Sequence, residues 1–455
     1  MFNRYRILHF VGIGGIGMSG IAEVLHNLGY EITGSDVKES ETVKRLRGMG
    51  IKVMIGHNAD NVDSSHLVVT SSAVSADNPE VMEARRRSIP VIPRAEMLAE
   101  LGRLKYGILV AGAHGKTTTT SLIATIVSEG GLDPTDIIGG KVKAFGSNAK
   151  LGQGDYIVAE ADESDGSFLK LNPTIAVITN IDREHMEFFK DMNALNNAFL
   201  SFINKIPFYG IAVVCIENEN IRQLITRIER KIITYGLSDK ADIYATNIKQ
   251  SGTKTSFDVI FKGKHTGTFT VPMPGMHNVL NSLAAIATAI ELQIPVETIT
   301  SALKHFSGIQ RRFEFKGEAR GIKVYDDYGH HPSEIKATLK AARVCFPENR
   351  LLVLFQPHRY TRTRDLIEEF STSFGDVDGL FLLDIYAASE KPIEGINSKS
   401  LLKRIEKAGL ANISYVPDKA EMVKKIVSEL KTGDVLISLG AGDVYKLGEE
   451  ILKQL

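Results

Sequence analysis

Val110-Ala111-Gly112-Ala113-His114-Gly115-Lys116-Thr117-Thr118-Thr119-Thr120 follows Tyr106–Val110, an apolar run of strand length. It precedes Ser121-Leu122-Ile123-Ala124-Thr125-Ile126-Val127, which continues as a helix. Strand, glycine turn, Gly-Lys-Thr and helix, in that order, is what a phosphate-binding loop needs. Glycines let successive backbone N–H groups turn toward phosphate oxygens, and the helix N-terminus adds partial positive charge. Lys116 reaches the outer phosphates, and the Thr117 hydroxyl is placed for Mg²⁺. The loop is shorter than the usual G-x-x-x-x-G-K-[ST], because Val110 stands where its first glycine would fall. A lysine in an ordinary glycine turn would not need the strand and helix on either side.

At 455 residues the chain is too long for one hydrophobic core and calls for two to four domains. Lys plus Arg and Asp plus Glu balance at 54 each, which argues against a nucleic-acid surface or a polybasic membrane surface. The two cysteines, Cys215 and Cys345, sit in apolar runs and read as buried free thiols of a reducing compartment. The N-terminus carries no signal-peptide pattern, and no apolar run is long enough to span a bilayer. A cytoplasmic protein is expected, with no nucleic-acid and no membrane partner.

Arg6–Val11 reads as a strand, Gly12-Ile13-Gly14-Gly15-Ile16-Gly17-Met18-Ser19-Gly20 as a turn, Ile21–Leu28 as a helix, and Glu31–Asp36 as a second strand. This is a βαβ unit with G-x-G-G-x-G at its turn and Asp36 closing the next strand, the pattern of a dinucleotide fold. An NAD site is one reading; any diphosphate, a nucleotide sugar included, suits the same loop. Short strands at Lys52–His57 and Leu67–Ala73 continue the sheet, and a helix from Arg94 to Leu101 finishes it. His57 reads as a ligand contact or, as a lone loop histidine, as solvated surface, and the solvated reading is the one expected.

After the phosphate loop, Asp155–Ala159 is apolar and ends in Glu160, with Asp162, Glu163 and Asp165 close behind. A carboxylate at a strand end beside a phosphate loop is where Mg²⁺ is held. Glu160 is the best placed, and the other three are expected to face solvent. Thr174–Ile181 is a buried strand followed by Asp182-Arg183-Glu184-His185, where His185 reads as a metal or substrate ligand or as a polar loop residue. A helix is expected near Met192–Asn204 and an alanine-rich one from His277, where Asn278 reads as an amide for a base edge or as a helix cap. Gln310-Arg311-Arg312 lies in a linker. Beyond it, Ile322–Pro332 is a strand tipped with Asp326, Asp327, His330 and His331. Leu351–Phe355 leads into Gln356-Pro357-His358-Arg359-Tyr360-Thr361-Arg362-Thr363-Arg364, whose three arginines make a clamp for carboxylate or phosphate.

Taken together, these motifs resemble the Mur ligases, the ATP-dependent amide-forming enzymes of peptidoglycan precursor synthesis. The resemblance spans essentially the whole chain. It rests on Gly112–Thr120, Glu160, Asn180 through His185, His277-Asn278 with Asn281, Arg312, and Asp327 with His330. GIGGIGMSG, DDYGHHP and PHRYTRT are most similar to the branch that joins L-alanine to UDP-N-acetylmuramate.

The resemblance implies a three-domain α/β enzyme. A Rossmann-like UDP-sugar-binding domain would span 1–104, a P-loop ATPase-type domain 105–309, and a Rossmann-like amino-acid-binding domain 310–455. It puts Gly14, Gly15 and Gly17 against the diphosphate of UDP-N-acetylmuramate, with Asp36, Ser71 and Ser72 as further candidates. It puts Gly112, Ala113, His114, Gly115, Lys116, Thr117 and Thr118 round the ATP phosphates and Asn281 near the adenine. Arg312 and Asp327 would reach the nucleotide from the third domain. His330, His358, Arg359 and Arg362 would hold the L-alanine carboxylate. Thr117, Glu160 and His185 would hold Mg²⁺, as two ions. Lys116, Glu160, His185, Arg312 and Asp327 would be the catalytic set, in a monomer or homodimer.

The implied reaction converts a carboxylate to an acyl phosphate, which the amine of L-alanine then opens. Three rivals use only part of the constellation. A ligase that returns a murein peptide to the same nucleotide sugar would share the first domain. An NAD-dependent oxidoreductase would use only the Gly12–Gly17 loop. A regulatory nucleotide-binding protein would use only the phosphate loop.

Overall fold

The structure is a computed structural model that describes residues 5–71, 73–103, 105–139, 149–388 and 390–455. Ser72 lies outside the described residues. The chain forms three α/β domains, each built on its own sheet. By compactness it divides into two units, Met1–Asn247 with Asp258–Phe269 and Leu280–Ser307, and Ile248–Phe257 with Thr270–Val279 and Gly308–Leu455.

The first unit holds the five-stranded N-terminal sheet, in the order Lys52–Ile55, Glu31–Asp36, Ile7–Val11, Leu67–Thr70, Val91–Pro93. All its pairings are parallel. Ile7–Val11 is apolar because both its faces are covered: Leu8, Phe10 and Val11 are fully buried. The strand order reverses at Ile7–Val11, so the crevice for a ligand opens at its carboxyl end, where Gly12–Gly17 lies. The helix after the loop begins at Ile16, earlier than its glycines suggest, and runs to Asn27.

The second sheet has ten strands. Tyr106–Ala111 lies between Ile175–Ile178 and Tyr156–Glu160, parallel to both. These three strands therefore end together, which brings the phosphate loop, Asn180 through His185, and Glu160 through Glu163 to one edge. The helix Lys116–Glu129 starts directly at the loop. Its threonines are poor helix formers, but the Thr120 and Thr125 hydroxyls and that of Ser121 bond back to carbonyls one turn earlier, which satisfies them in a buried helix. At the far edge Lys262-Gly263 turns the chain tightly between Lys254–Phe261 and Lys264–Val271, with φ of 48° and 75°.

The second unit carries the third sheet, in the order Glu314–Ala319, Ile322–Asp327, Val435–Leu439, Leu351–Phe355, Gly379–Leu382, Ile413–Tyr415. Only the edge strand Glu314–Ala319 is antiparallel to its neighbour; the expected linker thus runs straight into a strand. Apolar clusters cover both faces of this sheet.

A buried charge centre lies in the N-terminal domain, where sequence reading expected a solvated histidine. Glu80, on the helix Pro79–Arg86, is 0% exposed. Its carboxylate accepts from Ser35 Oγ (2.6 Å) and Asn61 Nδ2, and lies 3.2 Å from His57 Nδ1 and 3.7 Å from His9 Nε2. His57 is therefore tied to the carboxyl edge of the sheet. Burial alone would raise the Glu80 pKa, but the His9 imidazole beside it and hydrogen bonds from Ser35 and Asn61 bring it down to about 2. A carboxyl whose folded pKa is depressed contributes stability above its unfolded pKa and loses it as pH falls through the folded value. The N-terminal domain should lose about 3 kcal/mol between pH 4.5 and 2 through this group alone. Urea unfolding followed against pH should show that slope in the wild type and a flatter one in Glu80→Gln.

Candidate active site

The phosphate loop is shaped by its neighbours. Gly112 has φ 134°, and a Cβ there would collide with Thr179 Oγ1 and the Asn180 backbone. His114 N–H donates to Asn180 Oδ1 (2.9 Å), while His114 O accepts from Thr179 Oγ1 (2.6 Å) and Asn180 Nδ2 (2.9 Å). His114 Nε2 lies 3.0 Å from Asp182 Oδ2. Gly115 has φ 82°, and a Cβ there would stand 2.6 Å from Asn281 Oδ1. That same oxygen accepts from Thr119 Oγ1 (3.2 Å), so Asn281 underlies the loop. Lys116 starts the helix with Thr117 and Thr118, both largely buried.

Lys116 does not project freely. Its Nζ donates to Gly112 O (2.5 Å) and to both carboxylate oxygens of Glu163 (2.9 Å each). Burial would lower its pKa, but Glu163 and then Asp162 raise it, so the lysine is firmly charged. Glu163 was expected to face solvent; it is 2% exposed. The reason is non-local: Lys116 supplies a buried counter-ion that the local sequence does not reveal. Asp165 does face solvent, and Asp162 is partly exposed beside Arg94 (3.4 Å).

Glu163, Glu184 and His185 present ligand atoms within 4.8 Å of one another. Oxygen donors with one imidazole suit a hard divalent cation. His185 sits in the left-handed region, with φ 59°, at the start of the short helix Met186–Phe189. Glu160 is not in this group; its carboxylate accepts from Gly139 N (2.7 Å).

In the N-terminal domain, Gly14 N–H donates to Asp36 Oδ2 (2.8 Å), which ties the glycine loop to the next strand. A Cβ on Gly12 would meet Ser71 Oγ at 3.3 Å, and one on Gly17 would meet the Arg94 guanidinium at 2.7 Å. Loop, Asp36 and Ser71 are thus neighbours; Gly15 has only backbone and Met18 beside it. Arg94, which sequence reading passed over, supplies a cation at this loop. The only sign of it was an arginine opening a helix directly after Pro93.

In the second unit, Asp327 is 6% exposed and accepts from Phe313 N (2.7 Å) and Gly329 N (2.8 Å). Burial still lifts its pKa to about 6. Arg312 lies 3.8 Å from Glu334 and over the Tyr328 ring. His330 and His358 meet edge to face at 5.8 Å, and His358 stacks on Tyr386. Burial, then the charges of His330, Arg362 and Arg359, push the His358 pKa down to about 3, so it is neutral at pH 7. Its Nδ1 can then accept from Arg362 at 3.2 Å. Arg359 has φ 71°, and its buried Nε has no hydrogen-bond partner among the described residues. Arg359 and Arg362, with neutral His358 beside them, give a set of N–H donors of the kind that suits an anion.

Gly112→Ala should leave the fold in place but tilt the loop away from Thr179. ATP binding, measured by equilibrium dialysis, should weaken about a hundredfold, as expected from ~3 kcal/mol of loop strain.

Three family descriptions match the chain in order: Mur ligase family, catalytic domain, over residues 7–106; Mur ligase middle domain over 110–289; and Mur ligase, glutamate ligase domain, over 311–442. The chain is 55% identical to a UDP-N-acetylmuramate–L-alanine ligase of Geobacter sp. (strain M21), covering 100% of this chain and 99% of the relative. It is 54% identical to the protein of that name from Geobacter sulfurreducens, with the same coverage. Among solved structures it is similar to a UDP-N-acetylmuramate-alanine ligase from Thermotoga maritima, with a TM-score of 0.85 and 29% identity over 98% of both chains. A murein peptide ligase from Psychrobacter arcticus, at 24% identity and a TM-score of 0.74, shares the fold. Sheet order, phosphate loop and full-length similarity agree: the chain belongs to the Mur ligase family.

Proposed function

We propose that the protein joins L-alanine to the lactyl carboxylate of UDP-N-acetylmuramate at the expense of ATP, giving ADP and phosphate, in peptidoglycan precursor synthesis. The observation that carries this reading is the full-length identity of more than half with relatives of that name. Similarity to the murein peptide ligase is too low to argue for the recycling activity. An oxidoreductase would leave the phosphate loop unused.

A carboxylate is a poor acyl donor because it must expel an oxide. Its oxygen attacks the γ-phosphorus of ATP, ADP leaves, and an acyl phosphate forms. The amine of L-alanine adds to the acyl carbon, loses a proton, and phosphate departs as the amide forms. Little covalent chemistry falls to the protein, so positioning and charge neutralisation dominate. In this reading Gly112 through Thr118 hold the phosphates, and Lys116 offsets charge on the transferring group. Asn281 braces the loop from the adenine side. Arg312 and Asp327 serve the nucleotide from the third domain. Gly14, Gly15, Gly17, Asp36 and Ser71 hold the UDP portion, with Arg94 added as a diphosphate cation.

The donor set of Glu163, Glu184 and His185 fits Mg²⁺, and the Thr117 hydroxyl and Glu160 would be the donors for a second ion. Bound Mg²⁺ would neutralise the triphosphate and the phosphoryl group in transfer. His330, His358, Arg359 and Arg362 take the L-alanine carboxylate; the unsatisfied Arg359 Nε is the feature that supports this assignment.

Phosphate release from ATP and Mg²⁺ with UDP-N-acetylmuramate should require L-alanine. Release with a murein tripeptide instead would favour the recycling ligase. Arg359→Ala should raise the KM for L-alanine about tenfold or more, from the loss of a charge-assisted hydrogen bond, with the KM for ATP nearly unchanged.

A further inference from the structure

Lys116 is fully engaged before any nucleotide arrives. An ammonium has three N–H donors, and here four acceptors surround it: Gly112 O at 2.5 Å, Ala113 O at 3.3 Å and the two Glu163 oxygens at 2.9 Å. Lys116 can donate to a phosphate oxygen only if one of these gives way. The carbonyls belong to the loop that itself wraps the phosphates, so the carboxylate is the partner that yields.

Glu163 cannot simply swing into water. It is 2% exposed, and its backbone is fixed in the turn that Gly166 N–H closes on Glu163 O at 2.9 Å. Gly166, with φ 68°, makes that turn possible. The carboxylate is therefore built into the loop's surroundings at a fixed place, and it competes with phosphate for the same cation.

We infer that Glu163 is a positioning residue for Lys116, the counter-ion that the lysine exchanges for a nucleotide phosphate. The inference rests on the reading of Gly112–Thr118 as the ATP loop and adds to it a built-in competitor. Glu163 holds the lysine extended across the loop and sets how tightly nucleotide binds. The apparent affinity for nucleotide is lowered by the fraction of protein in which the lysine is already paired.

Isothermal titration calorimetry of the full-length chain with ADP, without divalent metal, tests this. Glu163→Gln should bind ADP about tenfold more tightly than the wild type, because the competing charge is gone. A merely structural role for Glu163 would not tighten binding. Unchanged or weaker binding by folded Glu163→Gln overturns the inference and leaves the loop reading intact. No ADP binding by the wild type overturns the loop reading and this inference with it. Should Glu163→Gln not stay folded, the thermal midpoints of Lys116→Met and of the double variant Lys116→Met/Glu163→Gln decide. The double variant should melt above the single one, which buries a carboxylate without its cation. A double variant melting at or below the single one overturns the inference.

Discussion

Everything at the candidate site depends on one parallel arrangement: Tyr106–Ala111 lies between Ile175–Ile178 and Tyr156–Glu160, and all three strands end at the same edge. A phosphate loop is a set of backbone amides with no internal partners, so something else must fix their direction. Here Thr179 and Asn180, at the end of the neighbouring strand, clasp the His114 peptide from both sides. Asn281 supports Gly115 from below. The other neighbour brings the carboxylates. Register in the sheet therefore decides which side chains can meet a phosphate, and a slip of one residue would turn each of them to the opposite face.

The parts legible in the sequence were those written in local pattern. Apolar strands ending in glycines announced both loops, because a tight turn after a buried strand has few other solutions. The helix expected near Met192–Asn204 lies there, capped by the Asp191 side chain, with its apolar positions at helical spacing. Membership of the family was legible too, since its motifs occur in order. What was not legible were pairings between distant segments. Glu163 looked like a surface acid until Lys116, 47 residues away, was placed against it. Arg94 meets Gly17 only through the docking of a helix against the glycine loop. His57 looked solvated because its partners, Ser35 and Glu80, come from other elements.

Buried charge is distributed unevenly through the protein, and the pattern follows use. Glu80 has five donors or imidazoles around it and is held well ionised. Asp327 has two backbone donors and still titrates near 6. Asp136, fully buried, has no hydrogen-bond partner among the described residues, and burial pushes it up to about 7. A carboxylate that serves only the fold is best surrounded, as Glu80 is. One left incompletely solvated costs stability, and such costs are found where a ligand later supplies the missing partner. Asp327, in the set read as reaching the nucleotide, fits that rule; the structure gives no physical account of Asp136.

The same reasoning separates the two cationic sites. In the third domain, the buried Arg359 Nε has no hydrogen-bond partner among the described residues, so an anion there would bind by filling an existing deficit. At the phosphate loop the charge is already balanced by Glu163, so a phosphate must displace something to bind. An unbalanced site attracts any anion that fits, whereas a balanced one favours a ligand able to hold its own charge in place once the internal counter-ion is released. A triphosphate accompanied by a divalent cation would do both: it would take the lysine and supply positive charge for the carboxylate left behind. Discrimination at the loop can thus arise from the cost of parting Lys116 from Glu163, with no contact to base or sugar required.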